Sequence, residues 1–305
     1  MNSRRLASLE GDRPFVHYCD ADAALSMIKS QEVWMRNVTW MNDESEITHG
    51  IERLISAYNN TDGLLLKNIL NKSFDGFTDQ FEYHFSAWMD DFRQETYITC
   101  LTEQLEDEDL IGRLSMWRAY GRKNAIAFVL DPGPFLRPSD ALKAYTSPVA
   151  YLNQPAFDVE FRELVSNIEQ EIEWLSTIGR DHVYNNLFAA FRFAILCTKH
   201  PAFKEEKEWR IVYQPNFQSA PEGRILEEYR SIGGSPQRIF KIPLTNHPNE
   251  GLYGVSLPEL LRYLIIGPGQ DVDSLRREFI RLLMVAGVPD AASKVVASNV
   301  PLRRV

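Results

Sequence analysis

An α+β fold is what this sequence predicts: a mixed β-sheet core with a helical hairpin inserted into it. Three observations lead there. Short apolar runs of strand character recur at residues 15–18, 33–38, 97–101, 125–130, 206–213, 238–244, 262–266 and 294–298. Helical spacing appears between some of these runs and not others, so the regular alternation of a doubly wound sheet is missing. The longest helical signals, Phe161 to Leu175 and Val183 to Ile195, follow one another with Gly179 between them.

The elements follow in order. Asp20 closes the first strand and is placed to cap a helix carrying Ala21, Ala24, Leu25 and Ile28 on one face. After the strand at 33–38, Asn42 and Asp43 form a turn or cap signal. Ile47, Ile51, Leu54, Ile55 and Tyr58 then continue at helical spacing. Residues 59–95 mix polar punctuation with many aromatics and support only weak helices. Beyond the strand at 97–101 and an acidic loop, Leu114 to Tyr120 reads as a short helix with Gly121 as its C-cap. The unbroken apolar run at 125–130 implies a strand buried on both faces. Prolines 132, 134 and 138 separate it from the hairpin. A last helix is expected over 272–286. The chain is taken as a single domain over 1–305, with 14–156 and 198–304 as sheet core and 157–197 as the insertion.

The chain has 305 residues, 44% hydrophobic and 25% charged, which sets aside disordered, collagen-like and coiled-coil readings. Lysine and arginine number 33 against 42 acidic residues, a net charge of -9, so a general electrostatic grip on nucleic acid or an anionic membrane is not expected. Cys19, Cys100 and Cys197 are widely separated and lack zinc-ligand spacing. A reducing, cytoplasmic location and no membrane span are the corresponding expectations. No metal site is expected. P-loop, HExxH, GxSxG and EF-hand patterns are missing from the sequence.

Four segments carry candidate chemistry. Ile265-Ile266-Gly267-Pro268-Gly269 before a helix has the form of a phosphate loop but fails GxGxxG, and Pro268 removes a donor; a tight turn is the simpler reading. In Glu205-Glu206-Lys207-Glu208-Trp209-Arg210, strand alternation would place Glu206, Glu208 and Arg210 on one surface, either as a salt-bridged strand end or at the rim of a cleft. His17 and Tyr18 close the first strand. Trp117, Arg118 and Tyr120 combine aromatics and a cation that could clamp a nucleotide or pack as an ordinary helix.

In order, Phe15-Val16-His17-Tyr18, Met41-Asn42-Asp43-Glu44-Ser45-Glu46, Ser115-Met116-Trp117-Arg118-Ala119-Tyr120-Gly121 and Glu206-Lys207-Glu208-Trp209-Arg210 resemble the signature segments of the bacterial "domain of unknown function 2971" family. The likeness extends over residues 14–304. The first segment also resembles the opening of toxin-type mono-ADP-ribosyltransferases, and Glu206-Lys207-Glu208 is similar to their ExE motif. That resemblance implies a split-sheet core and NAD as substrate. It implies Glu208 as the catalytic carboxylate and Glu206 as the residue that orients the acceptor. His17 would hold the nicotinamide ribose, with Tyr18, Trp117, Arg118, Tyr120 and Asn42 around the cofactor. The expected acceptor is a macromolecule, protein, RNA or DNA, and a neutralising antitoxin is an expected partner of such a defence effector. Cys19 stands where those enzymes have a hydroxyl residue. NAD hydrolysis, a non-catalytic interaction module, and a metal-dependent nuclease using Asp43, Glu46, Glu206 and Glu208 are the alternatives.

Overall fold

The computed structural model describes residues 13–41, 47–120, 124–269 and 271–301. In chain order the elements are β1 (Phe15–Asp20), α1 (Ala21–Ser30), β2 (Glu32–Asn37), α2 (Thr48–Tyr58), α3 (Thr61–Ser73), α4 (Phe77–Ala87), α5 (Met89–Gln94), β3 (Tyr97–Glu103), α6 (Leu114–Tyr120) and β4 (Ala125–Leu130). There follow β5 (Tyr145–Pro148), β6 (Ala150–Tyr151), α7 (Gln154–Gln170), α8 (Ile172–Ile178), α9 (Arg180–Leu196), β7 (Thr198–Lys199), β8 (Glu208–Tyr213), β9 (Leu226–Ile232), β10 (Ser235–Pro243), β11 (Leu261–Ile266), α10 (Val272–Val285) and β12 (Val295–Ala297). The chain divides into two compact units, residues 1–36, 97–148 and 205–305 in one and 37–96 and 149–204 in the other. The expected hairpin insertion at 157–197 is thus three helices, α7, α8 and α9, in a unit that also takes in α2 to α5.

The first unit contains a ten-stranded mixed sheet among the described residues. Its order is β12-β11-β4-β1-β3-β2-β10-β9, with β8 also paired to β3 and β5 beside β8. Only β11 and β12 run parallel among the pairings with a defined register; the others are antiparallel. β4 shows why its sequence is apolar throughout. Ile126, Phe128 and Leu130 join a core with Ala24, Met27 and Ile28 of α1 and Phe279 and Leu283 of α10. Ala125, Ala127 and Val129 face the other way, onto Met116 and Trp117 of α6. Full burial of a side chain such as Phe128 contributes about 1.5–3 kcal/mol, so both faces favour this placement. The predicted cap of α1 is present, with Asp20 accepting from the backbone N–H of Ala23 at 2.9 Å.

β3 determines the shape of this sheet. β8 pairs with it along Tyr97 to Thr102, which occupies one edge. β1 and β2 must therefore share the other. β1 takes only its end, Phe15 opposite Glu103 and Val16 opposite Thr102, before leaving to follow β4 from Phe15 to Asp20. The sheet forks where β1 parts from β3, one residue before His17.

The second unit is helical apart from the short parallel pair β6 and β7. Phe77, Phe81 and Phe85 recur every fourth residue on α4 and form one stripe. They meet Tyr184, Phe188 and Phe191 of α9. Phe81 stands edge-on to Phe191 at 5.3 Å and Phe85 to Phe188 at 5.2 Å, geometries that rings prefer. Tyr58 of α2 and Phe161 of α7 also reach Phe191.

Within this unit α2 crosses α9 at Gly50, where a Cβ would stand 2.1 Å from the carbonyl oxygen of Ile195. Gly50→Ala is expected to force the helices apart and cost about 1–3 kcal/mol, read as a lower urea midpoint of the helical signal. An unchanged midpoint would mean that the crossing is not tight.

Candidate functional site

The fork brings several of the expected residues together and separates others. His17 is partly buried, and its Nδ1–H donates to the carbonyl oxygen of Cys100 at 3.0 Å. The imidazole thus spans to β3 just past the last paired row of β1, where a ladder partner would otherwise be needed. With the proton on Nδ1, Nε2 is the acceptor nitrogen of the neutral ring. Burial pushes the imidazole pKa below its ordinary value, partly opposed by the bond to Cys100.

Register assigns the faces. Val16 lies opposite Thr102, and Thr102 opposite Glu208, so these three project to one side. Tyr18, two residues on from Val16, shares that side and meets Trp117 edge-on at 4.8 Å. His17 alternates to the other, the side of Phe15, whose ring lies 5.0 Å from Trp209. The expected sharing of one pocket by His17 and Glu208 is thus corrected: the two side chains project to opposite faces of the sheet, and β3 runs between their strands. By alternation Cys19 lies on the side of Phe15 and joins its core, where burial pushes the thiol pKa well up.

The expected row of Glu206, Glu208 and Arg210 is also corrected. β8 begins at Glu208, because Lys207 has a left-handed backbone, φ +48°, which breaks the alternation. Glu206 instead closes a 3₁₀ segment at 201–206, and its carbonyl accepts from Thr102 Oγ1. Glu208 and Arg210 do share a face. Arg210 Nε donates to Glu208 Oε1 at 2.8 Å, and the two residues are 4% and 0% exposed, so this is an internal ion pair.

Trp117 is 1% exposed, and its Nε1–H donates to the carbonyl oxygen of Ile111 at 2.9 Å. It is a core residue and offers no face to a ligand. Tyr18 is buried as well, and its hydroxyl accepts from the backbone N–H of Arg113 at 2.8 Å. Burial raises its pKa to about 12. Arg118 is exposed and Tyr120 partly buried. Asn42, Asp43, Glu46, Gly121, Arg122 and Lys123 lie outside the described residues. Before α10, the N–H of Gly267 bonds Ala125 O at 2.8 Å and continues the ladder of β11 with β4 by one row, and Gln270 lies outside the described residues.

Arg113 is the residue that sequence reasoning passed over. It is 8% exposed, and its guanidinium makes five bonds. Nε and Nη2 take the two carboxylate oxygens of Glu108 at 2.5 and 2.9 Å. Nη2 also donates to Glu103 O at 2.9 Å, and Nη1 to Thr102 Oγ1 at 3.2 Å and to the carbonyl of Glu205. A guanidinium has five N–H donors, so this one is filled by the protein itself. It ties the acidic loop after β3 to the segment that enters β8. Gln104 and Asp109 add a second tie through the hydroxyl of Tyr263. An arginine between an acidic loop and a short helix carries no sequence pattern that announces this.

Residues 116–211 match the model of a family described as "Protein of unknown function (DUF2971)". The match spans the Trp117 to Tyr120 segment and Glu206 to Arg210, and supports that family resemblance. No curated protein and no solved structure matches the chain. Among the described residues no helix is long and apolar enough to cross a membrane.

Two outcomes follow. Arg113→Met leaves Glu108 buried without its cation and should cost about 3–5 kcal/mol in denaturant unfolding; a loss below 1 kcal/mol would show that the loop stands without it. His17 has its pKa lowered on folding, so its share of stability is full above about pH 6.5 and is lost as pH falls below that value, by at most about 1.4 kcal/mol per pH unit. His17→Gln should flatten that acid slope between about pH 6.5 and 5, measured by urea unfolding across pH, and an unaltered slope would remove His17 as its source.

Proposed function

We propose that this chain is an NAD-consuming mono-ADP-ribosyltransferase that works at the fork of its sheet, with a protein, RNA or DNA as acceptor. The observation that carries this reading is Glu208, a carboxylate held by Arg210 at the start of β8, in register with Thr102 and Val16, the last row before β1 parts from β3. A fork leaves backbone groups and side chains of two diverging strands facing one gap, a place where a ligand can be held between them.

The chemistry asks little of the protein. The bond between nicotinamide and ribose C1 breaks, and its electron pair leaves with nicotinamide, which becomes neutral. The ribose passes through an oxocarbenium-like cation, which a carboxylate beside it stabilises. An oxygen or nitrogen of the acceptor then bonds to C1 and loses its proton. Glu208 is the carboxylate assigned to this task, and its ion pair with Arg210 fixes its position. His17, whose Nδ1 is engaged with Cys100, projects to the face opposite Glu208 and holds β1 at the fork rather than touching the ribose. Tyr18 and Trp117 support the wall from behind rather than touching NAD.

A second reading is favoured by one observation: Glu208, Arg210, Arg113, Tyr18 and Trp117 are all bonded internally and buried. On that reading the polar segments brace a non-catalytic interaction module. One experiment separates the two. The full chain is incubated with NAD labelled in the nicotinamide and adenylate parts together with a cell lysate, and free nicotinamide and labelled macromolecules are measured. The transferase should release nicotinamide and label an acceptor, also in the presence of a chelator. Glu208→Gln should lower the rate about 10²-fold to 10³-fold. Thermal unfolding of that variant distinguishes lost chemistry from lost folding. No nicotinamide release under any of these conditions sinks the transferase and the hydrolase and leaves the module.

A further inference from the structure

β9 is an edge. Among the described residues it is paired with β10 alone, from Leu226 opposite Lys241 to Ile232 opposite Ser235. The two strands are joined by Gly233 and Gly234, both at positive φ, +61° and +84°, the backbone of a two-residue type I′ turn. Such a turn closes on a hydrogen-bonded pair, Ile232 and Ser235. Alternation from there directs the N–H and C=O groups of Arg230 and Glu228 toward β10 and those of Ser231, Tyr229 and Glu227 away from it. Three residues thus present both backbone groups outward along one line.

The side chains of this edge read as a palindrome. Around Tyr229, Glu228 on one side matches Arg230 on the other, Glu227 matches Ser231, and Leu226 matches Ile232. A second copy laid antiparallel about Tyr229 would set each Glu228 against an Arg230, each apolar end against an apolar end, and Tyr229 against itself. Parallel pairing would instead oppose like charges, and shifting the centre to Glu228 or Arg230 would do the same; opposed like charges are unfavourable on neighbouring strands. Tyr229 is 67% exposed and the Arg230 side chain 48%, so both are accessible; Arg230 pairs with Glu228 of its own chain at 2.7 Å, and a second copy would bring another such pair beside it. Edge strands usually carry charge to prevent pairing. Here Glu228 and Arg230 carry opposite signs on either side of Tyr229, so the charges permit it with one partner.

We infer that β9 is a self-association edge, at which two copies of this chain join antiparallel about a two-fold axis through Tyr229 and continue the sheet from one into the other. Symmetry makes the contact isologous, and three outward pairs exchange six backbone hydrogen bonds. A contact of one strand edge is smaller than the surface that stable complexes bury, so the association is of micromolar strength and depends on concentration.

The test uses the full chain in about 0.15 M salt, where the net charge of the two copies is screened beyond ~8 Å. Sedimentation velocity over a hundredfold concentration range should show a monomer giving way to a dimer, and Arg230→Glu should hold it monomeric over the same range. Tyr229→Cys places two thiols at the axis, where opposed hydrogen-bonded residues have Cα atoms about 5.5 Å apart, within disulfide reach. It should yield a reducible covalent dimer at least tenfold faster than Glu227→Cys or Ser231→Cys, whose thiols face other positions. Circular dichroism confirms that each variant folds. A monomer at every concentration, equal cross-linking at all three positions, or a dimer that Arg230→Glu leaves intact would each overturn the assignment.

Discussion

A β-strand has two hydrogen-bonding edges, and the architecture of the sheet unit depends on how β3 spends them. With β8 along one edge, β1 and β2 divide the other, and neither can run its full length. The fork is the consequence. Backbone groups left over at the branch need other partners, because an unpaired buried polar group costs as much as a lost hydrogen bond. The His17 imidazole supplies one, at Cys100. A residue that reads in the sequence as a ligand contact is in this setting a structural bond.

Around that branch the protein places an unusual amount of internal charge. Arg113 with Glu108, and Arg210 with Glu208, are removed from water, which is costly unless every donor and acceptor is met. Arg113 meets all five of its own. The result is a rigid surround: the acidic loop and the entry to β8 are fixed by the guanidinium of Arg113, and the hydroxyl of Tyr18 by the backbone N–H of the same residue. Such rigidity serves a site that must hold a dinucleotide in one geometry, and equally a module that must present one surface. Both readings draw on the same braces, and only Glu208 has a different task in each.

Much of the architecture was legible because local rules and tertiary demands agree. The Asp20 cap and the doubly buried β4 both follow from residue type and period. The stretch at 59–95 was harder, since its α4 helix has little apolar surface beyond Phe77, Phe81 and Phe85. Three phenylalanines on eleven residues make a helix only when Tyr184, Phe188 and Phe191 arrive to cover them. β5 and β9 were missed for related reasons. Tyr145-Thr146-Ser147-Pro148 carries little strand signal and is a strand through its pairing with β8, while β9 is charged because it lies at an edge. The site was read less well than the fold. Alternation held from Glu208 onward and failed at Lys207, whose left-handed backbone no strand pattern announces in a lysine.

By itself the sequence determined the class of fold, the apolar strands, the first cap, the exclusion of the common metal and nucleotide motifs, and the segments that resemble a family. All of these depend on residues close together in the chain, where period and side-chain type act directly. Tertiary structure alone decided which strand shares an edge with which, that His17 and Glu208 project to opposite faces of the sheet, that Trp117 is core, and that Arg113 is the brace. The strand pairings among these join residues roughly 85 to 115 apart in the chain, and pairing over such distances is decided by the fit of whole surfaces rather than by any local signal.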